Sequence, residues 1–130
     1  MTPETVRYLD KALECVANAR ISLTVNLTND AGRSAYLAAF PAAQALIFER
    51  TGKVSKSHQG VHTEFARLAK DDSQLDAALP RFLQRGYNLK AVADYETGPD
   101  SVVATERATA AIEGAHDFVV AIRIVLSGSG

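Results

Sequence analysis

One short segment carries residues whose types and spacing suit the binding of an anion. Ser57 is predicted to cap a helix, and His58 and Gly60 fall in its first turn. Backbone N–H groups there lack helical partners and favour a phosphate. Lys53 and Lys56 lie just before this turn and add positive charge. These five residues form the predicted phosphate- or nucleotide-binding site. The alternative for His58 is a hydrogen bond to a neighbouring helix that fixes the loop.

Other chemistries find little support in the residues. His62 follows His58 by four residues, so both imidazoles would share a helix face, but no Cys or third His has the spacing of a zinc site. The glycine-rich phosphate loop and the Gly-x-Ser-x-Gly nucleophile motif are absent from the sequence. His116 stands alone and suggests no function. We therefore expect neither a metal nor a cofactor.

The elements that must position these residues are helices. Apolar residues recur at intervals of three and four along most of the chain, which predicts an all-α, up-and-down bundle of four or five helices. We expect residues 1–126 to form a single domain, with helices two and four central, and residues 127–130 a flexible tail. The predicted helices cover 3–25, 30–51, a short segment from a cap at Ser55 or Ser57 to about Asp71, a segment from Ser73 to Thr97-Gly98-Pro99, and a last segment from Asp100 or Ser101.

Several single residues carry structural expectations. Pro41 lies deep in the second helix, where it removes the hydrogen bond to the carbonyl of Leu37 and would bend the helix. Gly86 lies on an apolar stripe and would let a neighbouring backbone come close. Arg33 and Asp94 each border an otherwise apolar stretch, so we expect them to meet inside the bundle. The lone cysteine, Cys15, is expected to be a buried thiol in a reducing compartment.

Charge is distributed unevenly along the chain. The 130 residues carry a net charge of −1, which argues against strong nonspecific binding of nucleic acid. Residues 50–90 nevertheless hold eight Lys and Arg against four Asp and Glu. This basic middle suits local contact with phosphate or with an acidic protein, although ordinary solvated helix faces would explain it equally well. No segment has the pattern of a signal peptide or a membrane span, so we expect a cytoplasmic protein.

Three segments together resemble the HEPN superfamily. The first is the Gly32–Phe40 run, with Arg33, Tyr36 and Phe40; the second is Ser57-His58-Gln59-Gly60-Val61; the third is Ala93-Asp94-Tyr95. The resemblance covers about residues 5–122. It implies a four- or five-helix bundle that commonly dimerises. It also implies metal-independent RNA cleavage by an Arg and a His spaced about four to six residues apart, which supply a cation and a base.

The sequence departs from that catalytic pattern. Lys90 stands where the arginine would be and Tyr95 where the histidine would be. Lysine lacks the bidentate fork that grips phosphate oxygens, and a tyrosine with a pKa near 10 is a poor base at neutral pH. Pro41 also replaces a histidine that relatives often carry. The chain thus resembles the branch with Ala-Asp-Tyr in place of the ribonuclease motif, although Asp94 and Tyr95 could simply be the polar end of a core helix.

The resemblance implies a nucleotide-, RNA-phosphate- or partner-binding protein rather than an enzyme. Its implied partner is a small nucleotidyltransferase, often in a toxin–antitoxin arrangement. The alternative is an active ribonuclease that uses Lys90 and Tyr95, with His58 as the base.

A symmetric homodimer is also expected from the sequence. The last helix has a smooth face that would permit close packing of a second copy, and a stripe on the first helix would remain uncovered. That face consists of Ala104, Ala108, Ala111 and Ala115.

Overall fold

The computed structural model describes residues 1–95 and 102–128, and these form five helices packed as a bundle with no strand among them. The all-α prediction is therefore confirmed. The helices are α1 (Pro3–Thr24), α2 (Thr28–Thr51), α3 (His58–Lys70), α4 (Ala78–Tyr95) and α5 (Thr105–Gly128).

Capping residues explain the three helix ends that were predicted correctly. The Thr2 side chain accepts a hydrogen bond from the backbone N–H of Thr5 at 3.2 Å, with Pro3 at the first helical position. Ser57 does the same for α3, accepting from the N–H of Gly60 at 3.0 Å. Gly52 ends α2 in the left-handed conformation, with a φ of 73°. These three ends match the prediction to within a residue.

Three helix starts differ from the prediction: α2 begins at Thr28, two residues before the predicted start at 30, and α4 and α5 begin later than predicted, where side chains bind the preceding backbone. α4 begins at Ala78 rather than Ser73, since the carboxylates of Asp72 and Asp76 accept backbone hydrogen bonds from residues 74 and 78 at 2.8 and 2.7 Å. α5 begins at Thr105, not at residue 100 or 101, and the N–H of Val103 donates to the side chain of Asn29 at 2.8 Å.

Some predicted boundaries lie at or beyond the limits of the described residues. Thr97-Gly98-Pro99, Asp100 and Ser101 lie outside them. α5 continues through Gly128, two residues into the predicted tail, and Ser129 and Gly130 are not described.

The second helix is the centre of the bundle and packs against each of the other four. It is continuous through Pro41, and its buried positions are mostly alanines, which let the neighbouring helices approach closely. α4 was also expected to be central, but it packs mainly on α2 and α3 and has little contact with α5. The separation of α4 from α5 leaves a groove above α2.

The alanine face of α5 is buried in part. Ala108 and Ala115 are completely buried, whereas Ala104 is exposed and Ala111 is partly exposed. Ala108 and Ala115 therefore pack against the chain's own core, and the dimer stays a prediction. Cys15 is buried as expected, and burial raises the pKa of its thiol. No helix in the described ranges combines the length and the apolar character needed to cross a membrane.

The central position of α2 gives a first prediction. Replacing Leu46, which is completely buried, with alanine should cost about 2–5 kcal/mol of unfolding free energy, because a cavity forms where α2 meets its neighbours. Leu37→Ala on the same helix, at a side chain that is 36% exposed, is the matched control and should cost less than about 1 kcal/mol. Urea unfolding followed by circular dichroism measures both. Equal losses would show that α2 is not the packing centre.

Candidate functional site

A buried tyrosine joins α2 to α3. The side chain of Tyr36 is only 1% exposed, and its hydroxyl oxygen lies 2.9 Å from Nδ1 of His58 and 2.9 Å from Nε2 of His62. The two histidines are four residues apart on α3, so they occupy one face of that helix one turn apart. The expectation that His58 bonds to a neighbouring helix is confirmed. This contact explains its position by structure alone, without a ligand.

Aromatic rings enclose this cluster. The ring of His58 packs on Phe40 and Tyr87, with centroids 4.8 and 5.0 Å away, and Tyr87 also meets Tyr36 edge-on at 5.5 Å. A Cβ at Gly86 would lie 3.1 Å from the ring of Tyr36, so the glycine makes room for this side chain, where a neighbouring backbone had been predicted.

The hydrogen bonds of this cluster have one consistent direction. Gln84 donates through Nε2 to Oδ1 of Asn88 at 3.1 Å, which places its carbonyl oxygen 3.2 Å from Nδ1 of His62. A carbonyl oxygen only accepts, so His62 carries its proton on Nδ1 and accepts from the hydroxyl of Tyr36 at Nε2. The tyrosine oxygen then accepts from Nδ1–H of His58. We call this chain from His58 to Asn88 the tyrosine relay.

The relay leaves one basic nitrogen open. With its proton on Nδ1, a neutral His58 has a lone pair on Nε2. Within residues 1–95 and 102–128 this nitrogen has no hydrogen-bond partner, and no buried side-chain nitrogen or oxygen lacks one, so Nε2 of His58 reaches solvent.

The surroundings keep these groups uncharged. Burial, together with the positive charge of Lys90, lowers the pKa of His58. Burial also lowers the pKa of His62; the hydrogen bond to Gln84 opposes this shift, and the nearby His58 adds a smaller lowering effect. Burial, and then the proximity of Tyr87, raises the pKa of Tyr36 far above its ordinary value. All three side chains are therefore neutral at pH 7.

An ion cluster ties the N-terminal part of α2 to the C-terminal part of α4. Arg33 bonds through Nε to the carboxylate of Asp94 and through Nη1 to Asp30. The other oxygen of Asp94 accepts from Nζ of Lys90 at 2.6 Å. Burial alone would raise the pKa of Asp94, but hydrogen bonds from Lys90 and Arg33 outweigh it and hold that pKa below its usual value. The predicted meeting of Arg33 and Asp94 is confirmed.

The residues of the predicted phosphate site divide into two groups. Ser57 and Gly60 form the cap of α3, and Lys53 and Lys56 lie exposed beside it. His58, in contrast, directs its Nδ1 toward Tyr36 in the bundle. The site therefore consists of a basic helix terminus on one side and the tyrosine relay on the other.

The second predicted group lies at the end of α4. Lys90 faces the relay closely enough for its charge to act on His58. Tyr95 is the last helical residue of α4, and its side chain lies outside what the structure describes.

The sequence did not reveal how His62, Gln84 and Tyr87 contribute. Their only signal was spacing: His62 stands four residues after His58, and Gln84, Tyr87 and Asn88 recur at three and four along α4. That spacing places residues on one face but does not say which helix the face meets. The pairing of His62 with Gln84 depends on how α3 and α4 pack.

A protein family matches most of the chain. The family described as the HEPN domain matches residues 5–125. The chain belongs to the HEPN domain family. A search of curated proteins found no match. The Gly32–Phe40 run thus contributes Arg33 to the ion cluster and Tyr36 to the tyrosine relay of this HEPN bundle.

The ion cluster predicts a cost for removing its carboxylate. Asp94→Asn leaves Lys90 and Arg33 facing each other without the negative charge between them, and should cost about 1–3 kcal/mol of unfolding free energy. Asp10→Asn, at an exposed position of α1, is the control and should change stability by less than about 0.5 kcal/mol. Urea unfolding at pH 7 measures the difference in unfolding free energy. An Asp94→Asn variant as stable as the unmodified protein would contradict a structural role for the cluster.

The lowered histidine pKa values predict a loss of stability in mild acid. The unfolded chain binds protons at His58 and His62 below about pH 6.5, while the folded chain resists them, so unfolding free energy should fall as pH drops through that range. His62→Asn should reduce this slope between pH 7 and 5, because one such group is gone.

The matched control is His116→Asn, on α5 and outside the relay. It should keep the slope of the unmodified protein in urea unfolding across the same pH range. An unchanged slope in His62→Asn would mean that the relay does not keep its histidines neutral.

Proposed function

We propose that this HEPN protein binds a ribonucleotide or RNA at the surface formed by His58 and Lys90. The observation that carries the proposal is the open Nε2 of a neutral His58 beside a lysine charge. A lone pair at Nε2 repels a phosphate but accepts a hydrogen bond from a sugar hydroxyl. The ammonium of Lys90 supplies attraction for a phosphate.

This arrangement assigns separate roles to the predicted site residues. His58 would accept from the ribose 2′-hydroxyl, which distinguishes RNA from DNA. Lys90 would face the adjacent phosphate. The first turn of α3, with Lys53 and Lys56, would extend the contact along the backbone of a longer strand.

Binding without efficient cleavage is the better-supported role. The ammonium of Lys90 is engaged by Asp94 at 2.6 Å, and lysine offers no bidentate fork to a phosphorane. These features agree with the resemblance to the HEPN branch that carries Ala-Asp-Tyr. That resemblance also suggests a small nucleotidyltransferase as partner in a toxin–antitoxin module, which copurification with the product of a neighbouring nucleotidyltransferase gene would test.

Fluorescence anisotropy with a labelled ten-nucleotide RNA and the DNA of the same sequence tests the proposal. We expect tighter binding of the RNA. Lys90→Gln should weaken binding about tenfold or more, and His58→Asn should remove most of the preference for RNA. Lys70→Gln, at an exposed lysine that ends α3, is the control and should bind as the unmodified protein does.

The same assay has a clear contrary result. Equal affinity for RNA and DNA, or equal weakening by Lys70→Gln and Lys90→Gln, would show that any binding is nonspecific attraction to positive charge. Circular dichroism on each variant ensures that a loss of binding is not a loss of fold.

A metal-independent ribonuclease is the second candidate, and the neutral His58 favours it. Its Nε2 could take the proton of the 2′-hydroxyl as that oxygen attacks phosphorus, with Lys90 beside the developing charge and a proton from water reaching the leaving 5′-oxygen. Cleavage in EDTA, with 2′,3′-cyclic phosphate products, would support this candidate. If Lys90→Ala abolished that cleavage with the helical signal intact, the noncatalytic proposal would be wrong.

A symmetric homodimer remains part of the proposal. With Ala108 and Ala115 of α5 buried, support comes instead from large apolar side chains left exposed, among them Ile21 at 63% and Ile124 at 66%. Light scattering at micromolar concentration should give about twice the 13.9 kDa mass of the chain. A clean monomer would exclude the dimer, and with it a cleft shared by two basic middles.

A further inference from the structure

A groove separates α4 from α5 on the side of α4 away from α3. It encloses about 380 Å³, which lies within the range of small-molecule sites in proteins. Its floor is α2 and its walls are α4 and α5, two helices that touch each other little. Tyr36 and Asn88 of the tyrosine relay line the groove, whereas the two relay histidines do not.

Small residues create the space. Glycines and alanines line the groove on all three helices, so its walls lie close to the helix backbones. They are Gly32, Ala35, Gly86, Ala110, Ala111 and Gly114. A Cβ on Gly114 would lie 2.4 Å from the ring of Phe82, which closes one end of the groove across this glycine. The result is a smooth apolar slot bordered by an aromatic edge.

The charged side chains that line the groove within residues 1–95 and 102–128 have a single sign. Arg85 on α4 and Arg107 on α5 line opposite walls, and none of the described lining residues is acidic. Neither arginine has a hydrogen bond or ion pair to another residue in the part of the chain that the structure describes. Asn88 adds a polar amide on the α4 wall. Two unpaired guanidinium groups above an apolar slot are complementary to an anion that also has an apolar body.

We propose that this groove binds a small organic anion, with a planar apolar body against the glycine and alanine floor and a phosphate or carboxylate between Arg85 and Arg107. The α5 wall from Arg107 to Gly114 is about 10 Å long at 1.5 Å per residue, which suits a molecule of one or two fused rings. Guanidinium groups bind phosphate and carboxylate alike, so both head groups belong to the proposal. The site is separate from the RNA surface at His58.

Titration calorimetry with 1-naphthyl phosphate, 1-naphthoate and 1-naphthol tests the proposal on the full chain. The two anions should bind, and neutral 1-naphthol should bind at least tenfold more weakly. AMP and inorganic phosphate complete the series: AMP shows whether a nucleotide is accepted, and phosphate alone should bind weakly because it leaves the apolar floor empty.

Three variants assign the contacts. Arg85→Gln and Arg107→Gln should each weaken naphthyl phosphate about tenfold and leave 1-naphthol unchanged. Ala111→Leu should fill the slot and weaken both. Arg123→Gln, an exposed α5 arginine that does not line the groove, is the control and should bind normally. Thermal unfolding verifies that each variant folds.

Two results would overturn the proposal: no binding of either naphthyl anion at millimolar concentration, or binding that Arg85→Gln and Arg107→Gln leave unchanged. Neither result would bear on RNA binding, because different variants test the two sites. Lys90→Gln should weaken RNA binding and leave the binding of naphthyl phosphate intact.

Discussion

The buried hydroxyl of Tyr36 is the constraint on which the arrangement of this bundle depends. A hydroxyl removed from water without a partner costs about 1–3 kcal/mol, so α3 must present a hydrogen-bonding side chain to it. His58 and His62 do so from successive turns, and no buried side-chain polar atom is left unsatisfied in the described residues. A shift of α3 by one residue would rotate both histidines away. This single oxygen therefore sets the register of α3 against α2, which the apolar packing alone would fix less strictly.

Polar contacts hold α4 at two positions along its length. Near its middle, Gln84 bonds to His62 of the tyrosine relay, and near its end Asp94 bonds to Arg33. Arg33 lies on α2 and holds the end of α4 directly, whereas the middle of α4 is attached through His62 of α3, which in turn bonds to Tyr36 of α2. Between them, Gly86 lets α4 approach the tyrosine ring closely. Gly86 also lines the groove between α4 and α5.

The sequence allowed most of the fold to be predicted, because periodicity, Thr2, Ser57 and Gly52 are local signals that act within one helix. It failed where a side chain overrides the local preference, as at the start of α4. The pairing of Arg33 with Asp94 was predictable, since each was a charge beside an apolar stretch. The tyrosine relay was not, because the partners of Tyr36 depend on the packing of three helices. The groove was not predicted either, because it also depends on the packing of three helices.

The central claim is that the relay fixes His58 as a neutral imidazole with its proton on Nδ1 and an open Nε2. Long-range proton–nitrogen NMR of the ¹⁵N-labelled protein at pH 7.5 tests it directly, since the two ring nitrogens of each tautomer have distinct shifts. We expect His58 and His62 both to carry the proton on Nδ1, whereas a free imidazole prefers Nε2. A His58 protonated on Nε2, or on both nitrogens, would contradict the claim and remove the acceptor on which the proposed RNA binding depends.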